Sequence, residues 1–320
     1  MTQQTPRELF NKGIISEEQY VKIDVIHSGK IVSVFYELRS MLYLGVLLFT
    51  TGAGLLIYEN IGDLGHLLSI IALTALTIAC FWHVFAKAPA YSNGQVKGPT
   101  PYFDYIVLLG SLLFISVMGY LQFQFSILDE NLGLITLITA VFFFFIAYRM
   151  DHAGVLSLAI TALASFWSIS ISPQKWYSGE FLETANLHIT AIVFGTALTG
   201  IAMVLDRKSI KKHFTFTYLN FGSLIYFSGA IGGLFVDEDY YGIYLLVIAA
   251  GCTACWVLAQ RMKSFLLLLY AFVAAYIGTT YFLTMLVDDF FGFWFYYSIA
   301  SCGGFIYFII KYKNFFSRGE

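Results

Sequence analysis

The feature that most constrains this chain is a series of ten apolar runs, each about as long as a membrane-crossing helix. About 20 apolar residues in a helix cross the roughly 30 Å hydrocarbon core of a bilayer. The runs lack the strict alternation of barrel strands, so helices, which satisfy their own backbone hydrogen bonds, are expected. The predicted spans are residues 41–58, 65–86, 102–124, 131–148, 153–171, 187–205, 214–235, 241–259, 263–286 and 289–311. The sequence therefore predicts an all-α polytopic membrane protein.

The composition excludes a soluble protein of ordinary kind. Apolar residues make up 58% of the chain, charged residues 12%, and the mean hydropathy is +0.74. A soluble domain carries about 25% charged residues because its surface must be hydrated. The formal net charge of −2 also argues against a nucleic-acid partner, which would require a basic surface. The expected partner is the lipid bilayer.

The distribution of basic residues predicts the orientation of the spans. Cytoplasmic loops of multi-pass proteins collect Lys and Arg. With ten spans and both termini inside, every Lys and Arg except Lys175 falls on the inner side. A missed or extra span would invert each later loop and destroy this separation. We therefore expect a multi-pass protein of an inner, cytoplasmic membrane with cytoplasmic N- and C-termini.

Three segments are expected along the chain. Residues 1–40 are polar, show no secretory leader pattern, and predict a cytoplasmic helical hairpin. Residues 41–311 form the ten-helix membrane domain, and residues 312–320 form a short basic cytoplasmic tail. The hairpin either packs on its own membrane domain or docks a cytosolic partner or a second copy of the chain through residues 6–23.

The segment ELFNKGIISEEQYVKI, followed by LRSMLYLGVLLFTTGAGLLIYEN, carries a resemblance over roughly the first 65 residues. It resembles the bacterial membrane-protein family catalogued as domain of unknown function 2157. The matching positions are Gly13, Ile15, Ser16, Glu18 and Gln19 in the hairpin and Gly45, Gly52, Gly54 and Asn60 in the first span. Ile61 stands where the family has an aromatic residue, and Ile14 is an extra residue. The resemblance implies a multi-pass bacterial inner-membrane protein and brings no established activity.

Ionisable residues inside a membrane usually mark function because burying them is costly. No Asp, Glu, Lys or Arg lies in the middle third of any predicted span, which argues against a pump built on a central carboxylate. A cytoplasm-side polar cluster remains as a candidate, made of His83, Asp104, Asn220 and Gln260. These residues either line a polar vestibule, with His83 paired to Asp104, or serve as interfacial anchors and interhelical hydrogen bonds.

Small residues predict places where helices approach closely. Gly195 with Gly200 and Gly229 with Gly233 form two such seams, and glycine there either packs a neighbouring helix or lets a span bend. Cys252 and Cys255 form a C-x-x-C inside a span. With no second ligand pair for zinc, this motif favours a third packing seam over a metal or redox site.

Aromatic residues are concentrated around the outer half of the last span, more than an interfacial belt requires. With the longest outer loop, they form a candidate outer pocket containing Trp176, Tyr177, Trp294 and Tyr297. The alternative is a helix anchored in lipid by its aromatic side chains.

Two functions of different classes follow from the sequence. The first is a transporter-like protein for a small or lipophilic solute, with a cavity between two five-helix halves. The second is a non-transporting scaffold or accessory subunit that works through its N-terminal hairpin. The phosphate-binding, zinc-protease and serine-hydrolase motifs are missing from the sequence, so an enzyme is the less favoured class and no cofactor is expected.

Overall fold

The computed structural model describes residues 16, 35–59, 63–96, 98–125, 132–171, 185–287 and 291–317. The chain divides into two units, Met1–Asn60 and Ile61–Glu320. The predicted hairpin contact segment, residues 6–23, lies outside the described residues apart from Ser16. The division of the chain at residue 40 stays a prediction.

Ten α-helices occupy the ten predicted apolar runs, and the described residues contain no strand. They are α1 Phe35–Glu59, α2 Asp63–Ala86, α3 Phe103–Phe125, α4 Leu132–Met150, α5 Ala153–Ile171, α6 Ala185–Lys208, α7 Phe214–Val236, α8 Tyr241–Met262, α9 Phe265–Leu286 and α10 Phe291–Ser317. Over the described part of the chain, eight of them are long and apolar enough to cross a membrane, all except α1 and α5. The predicted all-α polytopic membrane fold is confirmed. α10 continues into the predicted basic tail.

Short polar connections end these helices. α8 ends at Lys263, whose φ of 51° lies in the left-handed region that commonly terminates a helix. The next residue, Ser264, caps α9, because its side-chain oxygen accepts from the amide of Leu267 at 3.5 Å. Asp151 and Lys211 also have positive φ values, 59° and 45°, in the turns between α4 and α5 and between α6 and α7.

The core of the second unit is apolar and lies mainly among α4, α5, α6, α7 and α9. Phe143 of α4, Leu156 of α5 and Leu219 of α7 are almost fully buried there. A second cluster joins α7, α8 and α9 around Phe227, Ile248 and Ala274. α6 and α7 pack most closely of any neighbouring pair. The middle of this bundle is filled by side chains of the chain itself.

The periphery is apolar as well. Large hydrophobic side chains such as Leu68, Val141, Val193 and Leu246 are more than 60% exposed. Water would penalise this surface at roughly 25 cal/mol per Å² of exposed apolar area, whereas lipid does not. α10 carries much of it, and it contacts α9 through the stacked rings of Phe272 and Phe308, 4.1 Å apart. The chain is a multi-pass membrane protein.

Candidate functional site

An apolar cleft of about 670 Å³ lies in the second unit. Its volume falls within the range of ligand pockets, roughly 300–1,000 Å³. The lining residues are Thr74, Thr77, Ile78, Phe81, Trp82, Phe85 and Ala86 of α2, Phe114, Val117 and Met118 of α3, and Phe142 of α4. The cleft is thus a groove between the α2–α3 hairpin and α4.

Aromatic contacts define the inner wall of this cleft. Phe142 of α4 stacks on Phe114 at 4.5 Å between ring centroids and meets Phe81 edge-on at 5.2 Å. Phe85 stacks on Phe145 at 6.3 Å, near the last turn of α2. Trp82, on the outer rim, is 78% exposed. The α2–α3 hairpin therefore packs against α4 mainly through ring faces.

A buried charge cluster lies beyond the end of the cleft. The side chain of Asp151, in the turn between α4 and α5, is 2% exposed, and that of Lys211, in the turn between α6 and α7, is 1% exposed. Lys211 Nζ lies 3.0 Å and His213 Nε2 lies 2.6 Å from Asp151 Oδ1. Neither nitrogen has hydrogen-bond geometry to that oxygen, so Asp151 and Lys211 are joined by the attraction of opposite charges.

The same cluster binds the backbone of the connection between α2 and α3. The amide of Val96 donates to Asp151 Oδ2 at 2.5 Å. Lys211 donates through its amide to the carbonyl of Asn93 at 2.7 Å and through Nζ to that of Gly94 at 3.4 Å. We call the described residues 88–96 and 98–102 the strap. Backbone groups of Asn93, Gly94 and Val96 are thus paired with residues of the other two turns.

Two further contacts hold the strap. Arg149 Nη1, at the end of α4, donates to the carbonyl of Pro89 at 2.8 Å. Lys211 Nζ lies 5.1 Å from the centre of the Tyr91 ring, within the range of a cation–π contact. The strap is thus fastened at both the α4–α5 and the α6–α7 turns.

A more exposed group of ion pairs joins the α8–α9 connection to the α6–α7 connection. Asp206, in the last turn of α6, accepts from Arg261 Nη2 at 2.7 Å and lies 3.6 Å from Lys212 Nζ. Arg261 belongs to the last turn of α8. The connections α2–α3, α4–α5, α6–α7 and α8–α9 therefore meet at one end of the second unit. The sequence analysis predicts that the basic residues of these four connections lie on the same side of the membrane.

Another polar group lies at the opposite end. His188 Nε2, near the start of α6, lies 2.8 Å from Asp237 Oδ2, just after α7. Tyr244 of α8 donates to the same oxygen at 2.9 Å, and its ring meets that of His188 edge-on. This group ties the ends of three helices together.

The described neighbours of the four residues of the predicted cytoplasm-side cluster differ. The structure shows no ion pair or hydrogen bond joining His83 to Asp104, both of which are described residues. The Asp104 carboxylate lies instead beside Gly98 of the strap, and Gln260 is exposed on α8. Asn220 Oδ1 accepts from the hydroxyl of Tyr270 at 2.9 Å, which links α7 to α9. A shared vestibule formed by these residues stays a prediction.

The Tyr270 to Asn220 contact allows a modest stability test. Tyr270→Phe removes the donor and leaves the partly buried amide oxygen of Asn220 unpaired, so we expect a loss of about 0.5–1.5 kcal/mol in unfolding free energy. Detergent melting of the purified protein measures it. Tyr276→Phe is the matched control, because the exposed Tyr276 makes a longer contact, 3.4 Å to the Ser301 hydroxyl. An equal loss in both variants would contradict a specific role for Asn220.

The glycines of the two predicted seams have different neighbours. A Cβ atom at Gly195 would lie 2.6 Å from the carbonyl oxygen of Gly222 and from the amide of Tyr226, so α6 and α7 touch there backbone to backbone. At Gly229 it would lie 2.7 Å from the carbonyl oxygen of His188, and at Gly233 it would overlap the Tyr244 ring. At Gly200 no described neighbouring atom lies within 4 Å.

The cysteines are free thiols, and the C-x-x-C pair faces two different helices. Cys252 donates to the carbonyl of Ala271 in α9 at 3.2 Å, and Cys255 donates to the Ser223 hydroxyl in α7 at 3.3 Å. Within the described ranges, no group of three His, Cys, Asp or Glu side chains is placed to hold a metal ion.

The candidate outer pocket is described in part. Trp176 and Tyr177 lie outside the described residues. Trp294 and Tyr297 meet edge-on at 5.8 Å, and Tyr297 stacks on Tyr276 of α9 at 6.2 Å. Its hydroxyl also lies 2.5 Å from that of Thr280. These rings join α10 to α9.

Comparison with known proteins identifies the first part of the chain. The model of the family described as predicted membrane protein (DUF2157) matches residues 7–156. Over these residues, the chain is similar to the DUF2157 family. No curated protein and no solved structure matches the chain.

The DUF2157 match confirms the resemblance noted in the hairpin and first span and extends it through α4 into α5. It includes every residue that lines the cleft, and also Arg149 and Asp151. Lys211 and His213, which complete the charge cluster, lie beyond the matched residues. The cleft therefore lies wholly within the residues that the DUF2157 model matches.

Sequence reasoning missed the Asp151 cluster and the His188 group. One signal was present for the first: Asp151 lies in a very short turn, where a charged side chain has little room to reach solvent. Its partner, Lys211, comes some 60 residues later in another connection, and spacing along the chain does not pair them. For the second, His188 lies near one end of a predicted span, and Asp237 follows the next span.

Proposed function

We propose that this protein is a transporter-like membrane protein that takes a lipophilic molecule from the bilayer into the cleft between α2, α3 and α4. The observation that carries the proposal is the cleft itself. It has the volume of a ligand site, an almost wholly apolar lining, and a rim formed by the highly exposed Trp82. An open apolar groove on a membrane helix bundle must be filled, because a void there forfeits dispersion contacts.

The dimensions of the cleft suit one lipid chain. Its lining on α2 runs from Thr74 to Ala86, which corresponds to about 18 Å of helix. Half of the hydrocarbon core of a bilayer is about 15 Å thick. The groove is thus about as long as one leaflet is deep, so we propose an acyl or isoprenoid chain as the ligand.

The lining offers little to a polar solute. Thr77 is one of only two lining residues with a hydroxyl, and this hydroxyl donates to the carbonyl of Leu73 in its own helix at 2.7 Å. A water-soluble substrate would lose its hydration without gaining partners. The middle of the bundle is filled by apolar side chains from α4 to α9, which favours a lateral site over a central one.

The charge distribution gives the proposed orientation. Loops rich in Lys and Arg face the cytoplasm, so we place the end that carries Asp151 and Lys211 in the cytoplasm of a bacterial inner membrane. Phe85 and Ala86, at one end of the cleft, directly precede the strap at this end. The ligand would then come from the inner leaflet.

Filling the cleft tests the proposal. Ile78 lines the cleft and is 61% exposed, so Ile78→Trp adds a large ring to the groove without crowding the core. The probe is a fatty acid with a diazirine in its chain, in vesicles of phosphatidylethanolamine and phosphatidylglycerol. In the unmodified protein we expect photolabelling at residues 74–86 and 114–118. In Ile78→Trp we expect it to fall about tenfold, because the added ring occupies the chain's volume.

Ile71→Trp is the matched control for this substitution. Ile71 lies on the same helix, is 55% exposed and does not line the cleft, so the control should label like the unmodified protein. Equal labelling of the cleft and of the lipid-facing side of α10 would contradict the proposal. So would equal labelling of the two tryptophan variants.

The second candidate is a scaffold or accessory subunit that docks a partner through residues 6–23. The apolar filling of the bundle from α4 to α9 favours it, because a closed bundle is suited to support rather than to transport. Its test is to replace Leu9 and Phe10 with Ser and to compare the proteins co-purified from the native membrane. A partner lost in this variant, together with no specific labelling of the cleft, would select the scaffold.

A further inference from the structure

The strap is unusual because most of its backbone contacts are made by charged side chains from the end of α4 and from two other connections, with one further bond from the backbone amide of Lys211. Asp151, Lys211 and Arg149 supply the contacts to Val96, Asn93, Gly94 and Pro89. Membrane helix hairpins need no such attachment in order to span a bilayer, since each helix satisfies its own backbone. Nearly full burial of two opposite charges is moreover a poor route to stability by itself.

We propose that Asp151, Lys211 and Arg149 are positioning residues for the cleft, which act through the strap to hold the α2–α3 hairpin against α4. This inference rests on the proposed function for the identity of the cleft as a ligand site. The mechanical part, in which the charge cluster holds the strap, does not depend on any ligand.

The path from the cluster to the cleft is short. Phe85 and Ala86 line the cleft in the last turn of α2, and the strap begins two residues after Ala86. Phe103, which is 1% exposed, follows the strap and anchors the start of α3 in the core. A strap that is pulled toward Asp151 therefore sets the positions of both hairpin ends. Among the aromatic contacts between α2 and α4, the stacking of Phe85 on Phe145 is the one nearest to the strap in sequence.

The packing of the hairpin is consistent with movement. α2 and α3 contact each other extensively and reach α4 and α5 through few contacts, mostly rings of phenylalanine. Stacked rings can slide past each other with little loss of contact energy. At the glycine seam between α6 and α7, in contrast, the two helix backbones are in direct contact. Release of the strap is thus expected to move α2 and α3 as one hairpin and to widen the cleft beside Phe85.

The test uses the full chain in lipid nanodiscs without added ligand. Asp151→Asn removes the charge that pairs with Lys211 but keeps nearly the same shape. We expect amide hydrogen exchange in residues 89–102 to rise by about tenfold or more, because the strap opens more often. Exchange at the α8–α9 turn, held by Arg261 and Ser264, should not change.

Quenching of Trp82 fluorescence by brominated phospholipid reports on the cleft, as the difference between each protein and its Trp82→Phe derivative. We expect quenching to increase in Asp151→Asn as lipid enters a wider groove. A general loss of stability would instead also speed amide hydrogen exchange at the α8–α9 turn. Increased Trp82 quenching with unchanged exchange at that turn therefore indicates a local effect on the cleft.

Two further variants make the result decisive. Arg149→Met removes the bond to Pro89 without uncovering a buried charge, so it serves if Asp151→Asn does not fold, and it should give the same changes to a smaller degree. Lys212→Ala is the matched control: Lys212 is next to Lys211 but 69% exposed, and it should change neither readout.

Unchanged strap exchange in Asp151→Asn and Arg149→Met would overturn the inference, as would faster exchange with unchanged Trp82 quenching. Failure of the proposed function looks different. In that case Ile78→Trp and Ile71→Trp would label alike, while the strap exchange and Trp82 quenching still respond to the charge cluster.

Discussion

Lys211→Met is expected to lower the free energy of unfolding by about 3–5 kcal/mol, because removing one partner of a buried ion pair leaves the other charge uncompensated. Met preserves most of the side-chain volume but leaves the buried Asp151 carboxylate without the Lys211 ammonium and with the His213 imidazole beside it. The substitution also removes the Nζ bond to Gly94 and the contact with Tyr91. Thermal melting in a mild detergent, with detection of the folded fraction, measures the loss.

Two companion variants locate the cause of this loss. Lys212→Ala removes a neighbouring exposed cation and should change stability by no more than about 0.5 kcal/mol. The double variant Asp151→Asn with Lys211→Met removes both buried charges and should recover part of the loss, because no uncompensated charge remains. Equal destabilisation by Lys211→Met and Lys212→Ala would show that the burial of Lys211 has no energetic consequence.

Gly195→Ala is expected to be the most damaging of the glycine substitutions, at about 3 kcal/mol or more. The added Cβ would lie 2.6 Å from two backbone atoms of α7, the Gly222 oxygen and the Tyr226 nitrogen. A flexible side chain could move away from such a contact, but a helix backbone cannot move without separating α6 from α7. Folded yield and detergent melting both report this change.

Gly200→Ala is the matched control on the same helix. No described neighbouring atom lies within 4 Å of the new Cβ, so the higher helix propensity of Ala should stabilise α6 by about 0.5–1 kcal/mol. The two substitutions are chemically identical and one predicted seam joins them, yet opposite signs are expected. A similar loss at both positions would contradict the close approach at Gly195.

Much of the fold was predictable because membrane insertion depends on local properties of the chain. A helix of about 20 apolar residues satisfies its own backbone wherever its neighbours lie, so ten apolar runs were enough to predict ten helices. The resemblance of the first 65 residues to DUF2157 was confirmed by a match that extends to residue 156.

The candidate site was far less predictable. The four polar residues proposed as a cluster were chosen by their depth in the membrane, and depth does not say which way a side chain points around its helix. Asn220 faces Tyr270 of α9, while Asp104 lies by the strap. The pairing of Asp151 with Lys211 was not predicted, because loop charges are ordinarily solvated and nothing local distinguishes a buried one.

The sequence by itself determined the membrane class, the approximate positions of the ten helices in the described part of the chain, and the grouping of the basic connections, since these depend on hydropathy and charge along the chain. Only the tertiary structure decided which of the connections between helices contact one another. It brought Asp151, Lys211 and Arg149 to one strap, and it opened a cleft beside α2, α3 and α4. The physical reason is that pairing and cavities depend on the rotation and separation of helices, which packing sets and local composition does not.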